Sequence, residues 1–337
     1  MTDSPTLLRR LMKVLKGKDL AVLAQRDELL NQRDELLKQR DELSRQRDAS
    51  KAESELRTLT NEVTSSSIER MTPEISRLLE GRRIGSKTFA LDLMEATLTG
   101  TLFEDPPLPT FGEKGYDASL RERGLDWPSH AFSMIGAERM RNLRTLLEDV
   151  IKAKIPGDIV ETGVWRGGAS IMARAVLKAH AVRDRKVIVA DSFAGLPAPD
   201  ESQFPADAGS TFHEFPELAV SLEQVQENFR RFGLLDEQVV FAKGWFKDTM
   251  PTLPTEKIAI LRLDGDMYES TIEPLLHLYD RISPGGWVII DDYAIIPACK
   301  AAVTDFLARR GLNPTIVPID GVGVYFQKAP TGAIPEG

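Results

Sequence analysis

Two short aspartate motifs indicate metal chemistry in the second half of the chain. Asp264 and Asp266 follow the apolar run KIAILRL, and Asp291 and Asp292 follow the apolar run GGWVII. Both runs are typical of buried parallel strands, whose neighbouring ends lie about 4.8 Å apart. Carboxylates that meet there repel each other strongly unless a cation lies between them. Because oxygen ligands select hard ions, we predict an Mg²⁺ site formed by Asp264, Asp291 and Asp292.

Asp266 lies two residues beyond Asp264 and is predicted to act as a general base. An alcohol has a pKa close to that of water, about 15.7, and is a poor nucleophile while it keeps its proton. A cation beside the hydroxyl oxygen acidifies it, so that a carboxylate with an ordinary pKa, about 3.9, can accept the proton. The aspartates therefore suit the transfer of a group to a hydroxyl.

The ends of three earlier strands form a candidate cofactor site. The first strand runs into VETGVWRGG, in which Trp165 stands where a nicotinamide-binding GxGxxG loop has its middle glycine. The second ends at Asp191, an acidic residue of the kind that accepts hydrogen bonds from ribose hydroxyls. The third is followed by Trp245, whose flat ring suits an adenine. We predict a ribose-bearing cofactor bound by Glu161, Gly163, Gly167, Asp191, Ser192, Gly244 and Trp245.

Each of these motifs also has a purely structural interpretation. The glycine loop is also typical of a tight strand-to-helix turn, and Asp191 also suits the cap of a turn or helix. Trp245 fits core packing equally well. Asp291 and Asp292 also suit the start of a loop and the cap of the following helix.

Five segments together resemble the macrocin O-methyltransferase family (TylF/MycF type). They are VETGVWRGGAS, ADSFAGLP, RLDGDMYEST, GGWVIIDDY and SMIGAERMRNL, and the resemblance covers roughly residues 105–328. It implies the class I methyltransferase fold, S-adenosylmethionine (SAM) as methyl donor, Mg²⁺, and methylation of a sugar hydroxyl. It also implies that Met134 contacts the cofactor, and it assigns the metal ligands and the base to the same aspartates.

The acceptor and the reaction class have alternatives. The resemblance leaves open a glycan, a lipid-linked glycan or a glycosylated natural product as the acceptor. A catechol-type O-methyltransferase would use the same three-ligand metal site. A coiled-coil scaffold with a binding-only methyltransferase domain is a further hypothesis, which the intact aspartates disfavour. The missing middle glycine disfavours a nicotinamide dehydrogenase.

The elements that must position these residues alternate regularly between strand and helix. We predict strands over 158–163, 186–191, 238–243, 257–264 and 285–291, with helices from 168 and over 217–231, 270–282 and 298–310. The segments NPTIVPID and GVGVYFQ predict a final antiparallel hairpin. Apolar strands separated by helices indicate an α/β fold with a doubly wound, mostly parallel seven-stranded sheet, which binds ligands at the carboxyl ends of its strands.

The N-terminal part differs in composition and predicts separate units. Residues 1–20 are basic with leucines at helical spacing, which favours a docking helix over a helix that binds a membrane surface. Residues 21–60 contain the heptads QRDELLN, QRDELLK and QRDELSR, which predict a coiled coil that forms a homo-oligomer. A single solvated helix is the alternative. We assign 61–125 to a helical or irregular connector and possible active-site cover, 126–329 to the methyltransferase domain and 330–337 to a tail.

Composition limits the remaining function classes. The 337 residues carry a net charge of -8, which disfavours nucleic acid as a partner. The single cysteine excludes an internal disulfide framework and a thiolate metal cluster. The chain shows no run of 18 apolar residues and no secretory signal, so we expect a cytoplasmic protein, with peripheral association at the inner membrane surface as an option.

Overall fold

The computed structural model describes residues 86–111 and 115–329. The amphipathic helix predicted over 1–20, the heptads of 21–60 and the tail after 329 lie outside the described residues, as does the connector up to residue 85. Within the described ranges, no helix is both long and apolar enough to cross a membrane.

The described residues form a seven-stranded sheet with the order β3-β2-β1-β4-β5-β7-β6. Strands β1 to β5 run parallel, whereas β7 pairs antiparallel with both β5 and β6. The predicted doubly wound, mostly parallel sheet with a closing hairpin is therefore confirmed. The strands are β1 (Asp158–Thr162), β2 (Val187–Asp191), β3 (Val239–Lys243), β4 (Ile258–Leu263), β5 (Ile282–Ile290), β6 (Val317–Pro318) and β7 (Val324–Gln327).

Helices connect the strands and cover the sheet. They are α1 (Ser86–Thr99), α2 (Ala118–Glu122), α3 (Gly136–Lys152), α4 (Gly168–Ala179), α5 (Leu222–Arg231), α6 (Phe246–Thr249), α7 (Tyr268–Leu278) and α8 (Pro297–Arg309). The helix predicted over 217–231 begins only at Leu222. The Ser221 hydroxyl accepts the backbone N–H of Gln224 and so caps α5 at this point.

The end of α7 and the start of β5 also differ from the prediction. The helix predicted to reach residue 282 ends at Leu278, and β5 begins at Ile282, three residues before the predicted start at Gly285. Ile282 already pairs with Ile258 of β4, and the register then shifts across the Pro284-Gly285-Gly286 segment. Proline and glycine in the segment mark an irregular strand, which sequence reading takes for a loop.

Alternate residues of the parallel strands pack on opposite faces of the sheet. Val187 and Val189 of β2 join the buried cluster that includes residues of α1, α3, α4 and α5. Ile188 and Ala190 join the cluster formed with α7 and α8. Because helices pack on both faces of the sheet, ligands can reach it at the strand ends.

Candidate active site

A cavity of about 390 Å³ opens at the carboxyl edge of the sheet. Most of the predicted site residues line it. They are Met134, Gly163, Asp191, Ser192, Gly244, Trp245, Asp264, Asp266, Asp291 and Asp292. The structure therefore brings the predicted cofactor loop and the predicted metal ligands to one cavity.

Gly163 allows the ends of β1 and β4 to meet. Its φ is +82°, and a Cβ at this position would overlap the backbone carbonyl of Asp264. The N–H of Asp264 donates to the carbonyl of Thr162 at 2.9 Å, and the N–H of Asp291 donates to that of Leu263 at 2.9 Å. The glycine thus allows the ends of β1 and β4 to meet, whereas the sequence predicted a tight turn or a close approach to a ligand at this loop.

Two predicted cofactor residues, Glu161 and Gly167, are not among the residues that line this cavity. Glu161 is buried in β1, where it accepts hydrogen bonds from Ser170 Oγ and, at 2.7 Å, from Arg262 Nη1. Burial raises the pKa of Glu161 to about 7. Gly167 precedes α4 with φ +86°, and a Cβ there would lie 2.9 Å from Val225 of α5. Both residues support the site from behind the cavity wall.

Asp191 stabilises the turns that follow β1 and β2, on the side of the cavity where the cofactor site was predicted. Its Oδ2 accepts the N–H of Val164 at 2.8 Å, and its Oδ1 accepts the N–H of Phe193 at 2.7 Å. Burial raises the pKa of Asp191, although these backbone hydrogen bonds act in the opposite direction. Asp191 therefore caps two turns, as its structural interpretation predicted, and it also lines the cavity.

The ligand atoms of Asp264, Asp291 and Asp292 lie within 4.8 Å of one another. Oδ2 of Asp292 is buried and has no hydrogen-bond partner among the described residues. Burial, followed by the charges of Asp266 and Asp264, raises the pKa of Asp292 well above its ordinary value. An unpartnered buried carboxylate oxygen beside further carboxylates fits a divalent cation, which would satisfy the oxygen and offset the repulsion.

Two buried arginines that the sequence analysis did not single out contact this cluster. Arg262 of β4 donates to Asp264 at 2.7 Å and to Asp291, as well as to Glu161. Arg139 of α3 also donates to Asp291. A charged residue inside the apolar strand IAILRL was a signal for Arg262, because a buried charge requires a partner. No comparable signal distinguished Arg139.

The charges at this edge do not cancel. Six carboxyl groups, those of Glu161, Asp264, Asp266, Asp291, Asp292 and Asp320, interact with one another or with the two guanidinium groups. With every group ionised, four negative charges remain, and burial together with this excess raises the pKa values of Asp266 and Asp292. A divalent cation would offset half of the excess.

Asp266 occupies an unusual backbone conformation in the cavity wall. Its φ is +62°, in the left-handed region, and Trp165 and Phe193 adopt the same region after β1 and β2. Such non-glycine positions cost free energy and concentrate at functional sites. Burial, and then the charge of Asp264, raises the pKa of Asp266 to about 7.

The sheet order, the closing antiparallel strand and a cavity at the strand ends define a class I SAM-dependent methyltransferase fold. A solved structure, that of the O-methyltransferase NovP, superposes on the chain with a TM-score of 0.70 and 48% sequence identity, covering 72% of this chain and 100% of that chain. The loop after β1, Asp191 and Trp245 supply the backbone, acidic and aromatic groups that suit SAM.

Sequence comparison identifies the family. A profile of the macrocin O-methyltransferase (TylF) family matches residues 79–328. Demethyldecarbamoylnovobiocin O-methyltransferase of Streptomyces niveus is 49% identical over 242 residues, which cover 71% of this chain and 92% of that enzyme. A tetracenomycin 4'-O-methyltransferase of Streptomyces olivaceus, whose named substrate carries a dimethoxy-rhamnosyl group, is 51% identical over 245 residues, covering 72% and 94%. The chain belongs to the macrocin O-methyltransferase family and is a SAM-dependent O-methyltransferase.

Proposed function

We propose that this enzyme methylates a sugar hydroxyl with Mg²⁺ bound by Asp264, Asp291 and Asp292. The observation that carries the proposal is the unpartnered Asp292 oxygen in a carboxylate cluster that shares one cavity with Asp191. The name of the Streptomyces olivaceus relative supports the acceptor class, since its named substrate is a tetracenomycin that carries a rhamnosyl group.

The donor side of the cavity would bind SAM. Asp191 would accept hydrogen bonds from ribose hydroxyls, and Trp245 would flank the adenine ring. Met134, Gly163, Ser192 and Gly244 complete the proposed lining, while Glu161 and Gly167 act from behind it by fixing β1 and the start of α4.

The metal side would orient and deprotonate the acceptor. Mg²⁺, when bound, would acidify the sugar hydroxyl and offset the excess negative charge. Asp266 would accept the hydroxyl proton from its place in the cavity wall. The methyl transfer itself requires mainly that the hydroxyl oxygen be held in line with the methyl group.

We propose a glycosylated natural product as the acceptor, with a glycan or lipid-linked glycan as the second acceptor class. The proposed homo-oligomer and the membrane association concern residues 1–60, which lie outside the described residues, and rest on the sequence alone.

A labelled-methyl transfer screen tests the proposal. The full chain is incubated with labelled SAM and glycosylated antibiotics, nucleotide sugars, glycolipids, polysaccharides or catechols, each with Mg²⁺ or with EDTA. We expect label on a sugar hydroxyl that depends on Mg²⁺. Transfer to catechols alone would contradict the acceptor class, and full transfer in EDTA would contradict the metal.

A further inference from the structure

Arg139 lines the cavity and connects three separate parts of the chain. The side chain is only 5% exposed. Its Nε donates to Asp320 at 2.9 Å and its Nη1 donates to Asp291 Oδ2. Its Nη2 donates to the backbone carbonyls of Arg123 at 3.2 Å and Gly124 at 3.1 Å. The guanidinium is therefore held from three sides, and these hydrogen bonds fix its orientation.

The turn between β6 and β7 is built around this guanidinium. The Asp320 side chain is fully buried, and its Oδ1 accepts the N–H groups of Val322 and Gly323, both at 2.9 Å. Its Oδ2 remains for Arg139. Gly323 also provides space, because a Cβ there would lie 3.0 Å from Arg139 Cδ. The position of Arg139 thus depends on a turn that does not belong to the metal cluster.

Asp291 is the one proposed metal ligand held at both carboxylate oxygens in the described structure. Arg139 donates to Oδ2 and Arg262 donates to Oδ1. Rotation of the carboxylate would break two charge-assisted hydrogen bonds, yet each oxygen keeps a lone pair for a cation. Asp264 is held at one oxygen, and Oδ2 of Asp292 has no hydrogen-bond partner among the described residues.

We propose that Arg139 is a positioning residue, which fixes the orientation of Asp291 toward the metal and attaches the 123–124 turn to the metal-binding edge. This inference rests on the proposed function, because it requires Asp291 to be a metal ligand. A guanidinium has donors that point in several fixed directions, whereas a lysine ammonium is a point charge at the end of a flexible chain. Lysine would keep the charge at this position without the three-sided attachment.

Two variants of the full chain separate orientation from charge. Arg139→Lys keeps the positive charge, and Asp320→Asn keeps an oxygen for the turn but places an NH₂ group opposite Arg139 Nε. We measure Mn²⁺ affinity by calorimetry without acceptor, SAM affinity, and the steady-state constants. Both variants are expected to lower Mn²⁺ affinity and kcat by about 10- to 100-fold while SAM affinity stays within about twofold of wild type. The double variant should bind Mn²⁺ no more weakly than Arg139→Lys alone, because both substitutions remove the same interaction.

Arg174→Lys is the matched control. Arg174 of α4 is equally buried, at 5% exposed, and donates twice to Asp236, but it is not among the cavity-lining residues. The Arg174→Lys substitution should lower Tm and leave Mn²⁺ affinity unchanged. Wild-type Mn²⁺ affinity in both Arg139→Lys and Asp320→Asn, or an equal loss in Arg174→Lys, would overturn the positioning role alone. A wild-type chain that binds no Mn²⁺ would overturn the proposed metal site and this role together.

Discussion

Asp191, on the β1–β2 side of the cavity, is held by backbone N–H groups, whereas Asp291, on the β4–β5 side, is held by charged side chains. Both residues stand at the end of an apolar parallel strand, Asp191 as the last residue of β2 and Asp291 directly after β5, and both line the cavity. Asp191 accepts hydrogen bonds from two backbone N–H groups, whereas Asp291 accepts hydrogen bonds from the guanidinium groups of Arg139 and Arg262.

The two halves of the site therefore differ in how strongly a bound ligand would stabilise them. Backbone donors form part of the turns and bring no net charge, so the donor half is complete before SAM binds. On the other half, burial raises the pKa values of Asp266 and Asp292, and the charges of neighbouring carboxylates add to the shift. The proposed cation would offset this excess of negative charge.

Asp292→Asn should have the largest effect, because it removes a proposed metal ligand from the carboxylate cluster. Loss of a metal ligand removes several kcal/mol of metal-assisted stabilisation, so we expect kcat to fall on the order of a thousandfold. The metal-free protein should nevertheless become more stable, because a buried, repelled charge is gone, with Tm higher by about 2–4 °C per kcal/mol. Turnover assays and thermal unfolding in EDTA measure both. Asp149→Asn, the same change at an exposed position of α3, is the control; a lower Tm in Asp292→Asn than in this control would contradict the electrostatic argument.

Asp266→Asn should lower kcat by at least about a hundredfold, the usual contribution of a positioned base. SAM affinity and Mn²⁺ affinity should stay close to wild type, since the amide keeps the size of the side chain. Steady-state kinetics with calorimetry of both ligands separates these quantities. Near-normal kcat would remove the proposed role as base.

Asp191→Ala should affect the donor half alone. Loss of charge-assisted hydrogen bonds, each about 1.5–3 kcal/mol, predicts SAM binding weaker by about 10- to 100-fold. Mn²⁺ affinity should be unchanged, because the metal half is held by other side chains. Titration of each ligand in the absence of the other checks the separation, with Asp191→Asn, which retains one acceptor oxygen, expected to lose less SAM affinity. A parallel loss of Mn²⁺ affinity would show that the two halves are not independent.

Glu95→Gln should have the smallest effect and serves as a reference away from the cavity. Burial raises the pKa of Glu95 from 4.5 to about 7, and Arg141, at 3.2 Å, partly opposes the shift. Because the fold favours the protonated carboxyl, its contribution to stability is present below about pH 4.5 and is lost as the pH rises through about 7. The glutamine variant should flatten the dependence of Tm on pH by a few degrees between pH 5 and 8. Mg²⁺ should not alter this difference, and a Mg²⁺-dependent change would place Glu95 within the metal network.

Chemistry and element order followed from the sequence alone. Apolar runs separated by helices required a parallel sheet, and the parallel direction of the strands required Asp191, Asp264 and Asp291 to reach one edge. The family segments around these residues indicated SAM as the donor. Local pattern was enough for these conclusions because side-chain type is read directly from the sequence, and a helix between two strands allows them to pair in parallel.

The groups that surround those aspartates became apparent in the folded structure. Arg139 contacts Asp291 across 152 residues of chain, and no spacing rule connects an α3 residue with the end of β5. The same limit applies to Glu161 and Gly167, which the sequence placed in the cofactor site and the fold directs to Arg262 and α5. Long-range packing determines how buried charges are shared, because each partner is chosen by proximity in the folded core rather than by position in the chain.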